Sequence, residues 1–320
     1  MEDLPRIHEL EDKYSLHHLG VPGFSLERLR NEYNFPGFIV DRSVRLVEDG
    51  KGKLVGVAEI WERSIPPVYP FLFAFVDPDL ENQGLEDYLL DWAEGRARQA
   101  LDVVDPGTRV ALRASCSSTI RSATEASRRA GLKKIRHSYR MRIEMEEPPP
   151  APSWPEGISL RPYHPDWDAR DVFLVDQEVF RDHFGFVEEP LEEGFERFMH
   201  HFAGDDSYDP SLWFLAVDGK EIAGICLCRR YSAEEWDAGY ISSLGVRRPW
   251  RRRGIALALL RQAFGEFYRR GKTKVDLGVD GQSLTGAIDL YQKAGMRVLR
   301  QYDLYEKELR PGKDLGVTNL

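Results

Sequence analysis

The sequence has little cysteine: three in 320 residues. Cys116, Cys226 and Cys228 are too few for the disulfide framework that holds small secreted domains together. The Cys226-x-Cys228 pair has the wrong spacing for zinc and no second half, and no group of His, Cys, Asp and Glu has ligand spacing, so a metal site is not expected. The pair reads as small apolar residues buried on a strand. Long apolar runs are lacking too. None approaches the roughly 20 residues of a membrane span, and the opening "MEDLPRIHEL" has neither the basic start nor the apolar stretch of a signal peptide. A cytoplasmic protein with no membrane partner is the expectation. Neither GxSxG nor GxGxxG occurs, which removes the commonest hydrolase and dinucleotide signals. Positive charge is in deficit, with 44 Lys and Arg against 53 Asp and Glu and a formal net charge of −9. That balance opposes nonspecific binding to nucleic acid, which depends on releasing counterions to a basic surface.

What is present is enough apolar material for sizeable cores, 42% hydrophobic and 11% aromatic residues. A chain of this length exceeds what one core comfortably fills, so two domains are expected. The segment 148–157, "PPPAPSWPEG", is rich in proline and favours a stiff extended connector. It separates residues 1–147 from 158–320, and the two parts share landmarks. "LVGVAEIWERS" parallels "IAGICLCRRYS", "QGLEDYLLDWAEGRARQ" parallels "RGIALALLRQAFGEFYR", and "RRAGLKKIR" parallels "QKAGMRVLR". The glycine pairs Gly56 and Gly224, Gly84 and Gly254, and Gly131 and Gly295 are offset by 168, 170 and 164 positions. Offsets this similar mark a tandem repeat. In the second half the periodicities predict strands near 158–162, 212–217, 222–230, 238–246, 273–279 and 297–308. Helices are predicted near 166–180, 190–202, 253–269 and 284–294. The expected class is α/β, with helices packed on a sheet. The second half opens with a strand while the first opens almost directly on a helical pattern, so the first domain either does without that strand or belongs to a chain that starts upstream of Met1.

The stretch "RPWRRRGIAL", residues 248–257, sits where the predicted strand "AGYISSLGV" turns into a helix with apolar residues at Ile255, Leu259, Ala263 and Phe267. Unpaired N–H groups and the positive helix end make such a junction an anion site. Gly254 lets a ligand approach the backbone, Ala256 is small enough to do the same, and the neighbouring arginines can donate to phosphate oxygens. From the hexamer alone, a solvated basic face and a nucleic-acid patch stay open as alternatives.

In context the second half resembles the GNAT superfamily of acyl-CoA N-acyltransferases. "RRRGIA" at 251–256 resembles its signature loop, and "VDLGVDGQSLTGAIDLYQKAGM" at 275–296 resembles its later strand, polar turn and tyrosine-bearing helix. The resemblance covers most of 158–308 and implies two tandem GNAT-like domains, each a mixed, mostly antiparallel central sheet flanked by helices. It implies that the strand before the loop splays from its neighbour, that Leu244, Gly245 and Val246 pair with a pantetheine arm, and that the backbone of Arg252, Gly254, Ile255 and Ala256 holds a pyrophosphate, with Arg251 and Arg253 in support. It implies acetyl-CoA as cosubstrate and Tyr291, four residues before Gly295, as the acid that protonates the leaving thiolate. The acceptor would be the primary amine of a small molecule, attacking the thioester directly. The other reading is a noncatalytic acyl-CoA sensor or interaction protein in which Tyr291 only packs. A monomer or homodimer is expected.

Two departures from the family pattern stand out. Ser242 and Ser243 occupy the strand where many relatives carry a carboxylate base, leaving Asp237 or a water chain through the serines as candidates. Ser283 stands where many carry an asparagine that helps hold the cofactor, and its hydroxyl is expected to cap the next helix. The acceptor loop would be 181–195, with His183 and the acids Glu188, Glu189, Glu192 and Glu193. In the first half Glu81 stands for Arg251, Glu86 for Ala256 and Ser127 for Tyr291, so it reads as a degenerate GNAT domain whose loop would repel phosphate. The tandem layout resembles that of mycothiol synthase and its relatives.

Overall fold

The computed structural model describes residues 2–232, 235–283 and 286–317. Two compact units emerge, and each draws on both halves of the chain. Unit 1 takes the described residues of Met1–Ser138, Val187–Glu193 and Gln301–Thr318, and unit 2 takes Tyr139–Phe186 and the described residues of Gly194–Arg300.

Unit 1 begins with helices α1 (Leu4–Leu19), α2 (Leu26–Tyr33) and the single turn α3 (Val40–Ser43). Strands β1 (Val44–Glu48), β2 (Leu54–Trp61) and β3 (Phe71–Val76) follow, then helix α4 (Leu85–Ala97), strand β4 (Val110–Ser117), helix α5 (Arg121–Arg129) and strand β5 (Lys133–Glu144). Its sheet runs β1-β2-β3-β4 and is completed by residues Tyr302–Arg310 of the last strand, β11 (Arg297–Arg310), antiparallel to β4. Among the described pairs from β1 to β11 in this order, β3/β4 is parallel and the others are antiparallel. β5 and β11 each span a boundary between the units.

Unit 2 contains β6 (Ile158–Pro162), α6 (Pro165–Phe180), most of α7 (Leu191–Ala203), β7 (Tyr208–Asp218), β8 (Glu221–Arg229), β9 (Ala238–Val246), α8 (Ile255–Arg269), β10 (Lys274–Asp280) and α9 (Ala287–Lys293). Strands β6 to β9 are antiparallel neighbours, β9 and β10 are parallel, and β5 lies beside β10. Within unit 2, Arg142 of β5 makes two bonds of 2.7 and 2.8 Å to Asp276 of β10, and both residues are buried. Removing Arg142 would cost about 3–5 kcal/mol, because the Asp276 charge is left buried without it.

The predicted elements of the second half are present, with ends shifted by a few residues. β7 starts earlier than expected, at Tyr208, across an irregular register between Tyr208 and Trp213. The helix expected at 284–294 is described from Ala287, and its first predicted residues, Leu284 and Thr285, lie outside the described residues. β8 is buried almost throughout because helices cover both its faces. Cys226 and Cys228 pack in one core cluster with Leu259, Ala263 and Phe267 of α8. Ile225 and Leu227 point to the opposite cluster, with Val172, Val179 and Phe198 of α6 and α7. The cysteines are free and fully buried, as the small apolar reading requires.

Candidate active site

The parallel pairing of β9 and β10 runs from Ala238/Lys274 to Ile241/Leu277 and stops, although β9 continues to Val246 and β10 to Asp280. The β8/β9 register slips between Leu227 and Cys228, opposite Ser243 and Ile241, so the extra residue Ser242 bends β9 where it parts from β10. Past that point β9 remains paired with β8 through Gly224/Val246, so the edge that opens is the one toward β10. Helix α6 fixes the geometry: a Cβ on Gly245 would meet Val179 at 2.4 Å, so only glycine lets the helix sit this close. A cavity of about 520 Å³ occupies the opening, a size typical of small-molecule sites.

Leu244, Gly245 and Val246 line this cavity from the diverging strand. Arg251, Arg252, Gly254, Ile255 and Ala256 line it from the turn, and Ser283 and Tyr291 from the far side. Arg252 and Gly254 adopt left-handed backbone, with φ of 65° and 89°. Gly254 is the N-cap of α8 with no side-chain cap, so the first-turn N–H groups have no partner within the helix. A Cβ at Gly254 would meet nothing within 4 Å, so glycine is needed for its φ and the space above it is open.

The arginines divide. Arg251 lines the cavity and donates from Nε to the Val246 carbonyl at 2.9 Å. Arg253 does not line it; its guanidinium reaches the Glu156 carbonyl at 2.9 Å. Arg248 pairs with Asp182 and Arg247 with Glu178. Arg247 and Arg248 are therefore already matched by carboxylates, while Arg251 and Arg253 reach backbone carbonyls.

Tyr291 is buried on α9, and burial, with a smaller push from Cys226, raises its pKa. Its hydroxyl stays protonated across the neutral range. Ser283 does not cap the helix as expected, because the N-cap of α9 is Gly286 and no side chain caps it. Asp237 is exposed and is not in the cavity wall. His183 is in the wall, with its ring against Phe180 at 4.5 Å, whereas none of Glu188, Glu189, Glu192 and Glu193 lines it.

The structure adds one residue that the sequence did not single out, Asp176. Ser243, in the cavity wall, donates from Oγ to Asp176 of α6 at 2.6 Å, and both are buried. Burial pushes the Asp176 carboxyl up to about 6, held back by the Ser243 hydroxyl. Ser242 instead receives the Arg229 guanidinium at 3.1 Å. In sequence Asp176 passes as one polar residue of a helix. A signal exists nonetheless: Val172, Asp176 and Val179 are spaced for one helical face, so the carboxylate interrupts an apolar stripe.

Unit 1 repeats the backbone of the turn with different side chains. β3 and β4 pair in parallel only at Phe71/Arg113 and Leu72/Ala114, and Asn82 and Gly84 have φ of 60° and 96°, close to Arg252 and Gly254. Glu81 pairs with His18 at 2.6 Å, and Glu86 accepts the Asn82 N–H at 2.8 Å. Ser127 donates to the Ala123 carbonyl within its own helix.

Residues 165–296 match the Acetyltransferase (GNAT) family. A GCN5-related N-acetyltransferase from Sphaerobacter thermophilus is 33% identical, with a TM-score of 0.80 over 98% of this chain and 95% of that one. The chain belongs to the GNAT family. As a GNAT protein it is an acyltransferase, and its mixed α/β units are the tandem arrangement that the repeat predicts. A tandem GNAT protein from the clavulanic acid biosynthesis pathway shares the fold at 13% identity, with a TM-score of 0.68 over 98% of this chain and 96% of that one. A mycothiol acetyltransferase of Renibacterium salmoninarum is 26% identical over 86% of this GNAT chain and 79% of its own length. Among the described residues, no helix is long and apolar enough to cross a membrane and no group of His, Cys, Asp and Glu could hold a metal ion.

Proposed function

We propose that the chain is an acetyl-CoA-dependent N-acetyltransferase acting on the primary amine of a small molecule. In this reading residues 158–320 form the catalytic domain and 1–147 a degenerate counterpart joined through 148–157. The observation that carries it is the parted β9/β10 pair with a left-handed, glycine-capped helix start at its mouth. The residues present fit the cosubstrate. The unpaired N–H groups at Ile255 and Ala256 and the open space over Gly254 would take the pyrophosphate, with Arg251 and Arg252 beside it and Ser283 across the cavity. Leu244, Gly245 and Val246 would pair through their backbone with the pantetheine arm, as an added strand.

When bound, acetyl-CoA supplies the thioester that the amine attacks. A backbone N–H of β9 near Val246 would meet the developing oxyanion. Tyr291, kept protonated by burial, would hold the proton that the departing sulfur needs. The amine must lose a proton as it attacks. Ser243 Oγ would take it while passing its own to Asp176 Oδ1, 2.6 Å away, which neutralises the carboxylate as negative charge develops on the thioester oxygen.

Calorimetric titration with acetyl-CoA tests the binding half of this reading, and one site per chain is the expected stoichiometry. Two sites would give the first half a working cradle, and no binding would withdraw the reading. The acid role is tested separately. Tyr291→Phe should lower kcat by about a hundredfold with acetyl-CoA affinity nearly unchanged, measured by steady-state transfer to a panel of amines alongside calorimetry. Full activity in that variant would make Tyr291 a packing residue.

A further inference from the structure

Unit 1 has a cleft of its own between its parted strands, small and chemically unlike that of unit 2. We infer that it binds the ammonium head of a small primary alkylamine. Its volume is about 60 Å³, roughly that of two water molecules, so it admits a head group and a short alkyl stem. Leu72, Leu90 and Ala114 give it apolar walls.

Glu86 supplies the charge. It lines the cleft from the first turn of α4 and is only 8% exposed. Its Oε1 is occupied by the Asn82 N–H at 2.8 Å, whereas its Oε2 is buried with no hydrogen-bond partner. A buried carboxylate oxygen without a donor is costly, and a charged donor is the partner that offsets most. The other acid in the wall, Glu81, is already paired with His18.

Three features select an alkylammonium over other cations. A metal ion such as calcium needs six or more oxygen ligands, which apolar walls do not offer. Tyr14, Ser115 and Ser122 are also among the residues lining the cleft, and an ammonium can use both aromatic faces and hydroxyl acceptors. Lastly, the residue at this place in unit 2 is Ala256, beside the open turn. Exchanging alanine for glutamate turns a turn suited to anions into a cleft suited to cations while the backbone stays the same.

The test is equilibrium dialysis of the full chain against radiolabelled methylammonium, with potassium chloride at equal ionic strength as competitor. Saturable retention at a single site, not displaced by potassium, is expected. Glu86→Gln, whose amide oxygen can still accept the Asn82 N–H, should weaken retention about tenfold or more. It also separates this cleft from any amine bound as acceptor in unit 2. Ala123→Leu, which fills the cleft from α5 and keeps the carboxylate, should abolish retention too and serves if the first variant fails to fold. No saturable retention, equal displacement by potassium, or equal retention by a folded Glu86→Gln chain would overturn the assignment and leave the cleft to water.

Discussion

Gly254→Glu is expected to weaken acetyl-CoA binding by about a thousandfold while the chain stays folded. A carboxylate placed about 4 Å from a phosphate repels it by about 4 kcal/mol at the effective dielectric of a protein surface, which corresponds to that factor. The fold should survive because a side chain at Gly254 enters open space, and the left-handed φ of 89° adds only about 1–2 kcal/mol of strain. Gly84→Glu is the matched control. It carries the same strain at φ of 96° and also enters open space, so calorimetry should find its affinity for acetyl-CoA unchanged. Equal loss from both substitutions would overturn the assignment of one working cradle.

Asp176→Asn should make the protein more stable and the enzyme much worse. The carboxyl is raised from an ordinary 3.8 to about 6 in the folded state. The folded chain therefore holds this proton more tightly than the unfolded chain does, and wild-type stability falls as pH rises from about 4 to about 6. Above that the loss is complete, about 3 kcal/mol for a shift of roughly two units. Asparagine cannot ionise and keeps an acceptor for Ser243, so the variant should gain about that much at pH 8 relative to wild type and nothing near pH 3. Chemical denaturation at the two pH values measures the difference. Activity should move the other way, with kcat/KM falling by roughly a hundredfold or more. The wild-type profile should carry a limb lost to protonation near pH 6 that the variant lacks. Unchanged activity, or a limb that persists in Asp176→Asn, would remove Asp176 from the proton path.

The parts of the site that are legible in sequence are those whose chemistry is local. The turn at 251–256 is written in consecutive residues, and the helix after it declares itself through Ile255, Leu259, Ala263 and Phe267, all of which are buried. Tyr291 is legible because its distance from Gly295 is fixed by one helix. Arg253 and Ser283 show the limit. Both occupy the right places in the chain, yet the Arg253 side chain turns to the Glu156 carbonyl and Ser283 leaves the cap of α9 to Gly286. Asp176 was the least accessible. Its burial depends on α6 lying against Gly245, and its partner Ser243 is 67 residues away. The segments that change unit were equally hidden, because a repeated pattern reads the same whichever sheet its last strand joins.

That last feature bears on how such a chain can be inherited. Residues 139–144 come from the first half and serve unit 2, where Arg142 is bonded to Asp276, while residues 301–310 come from the second half and close the sheet of unit 1. Each half holds a strand that belongs to the other. A gene split at the proline-rich segment would yield two products that each lack a strand segment of their own sheet. Neither half can therefore be discarded without taking part of the other's sheet, so selection on one unit extends to residues encoded in the other half.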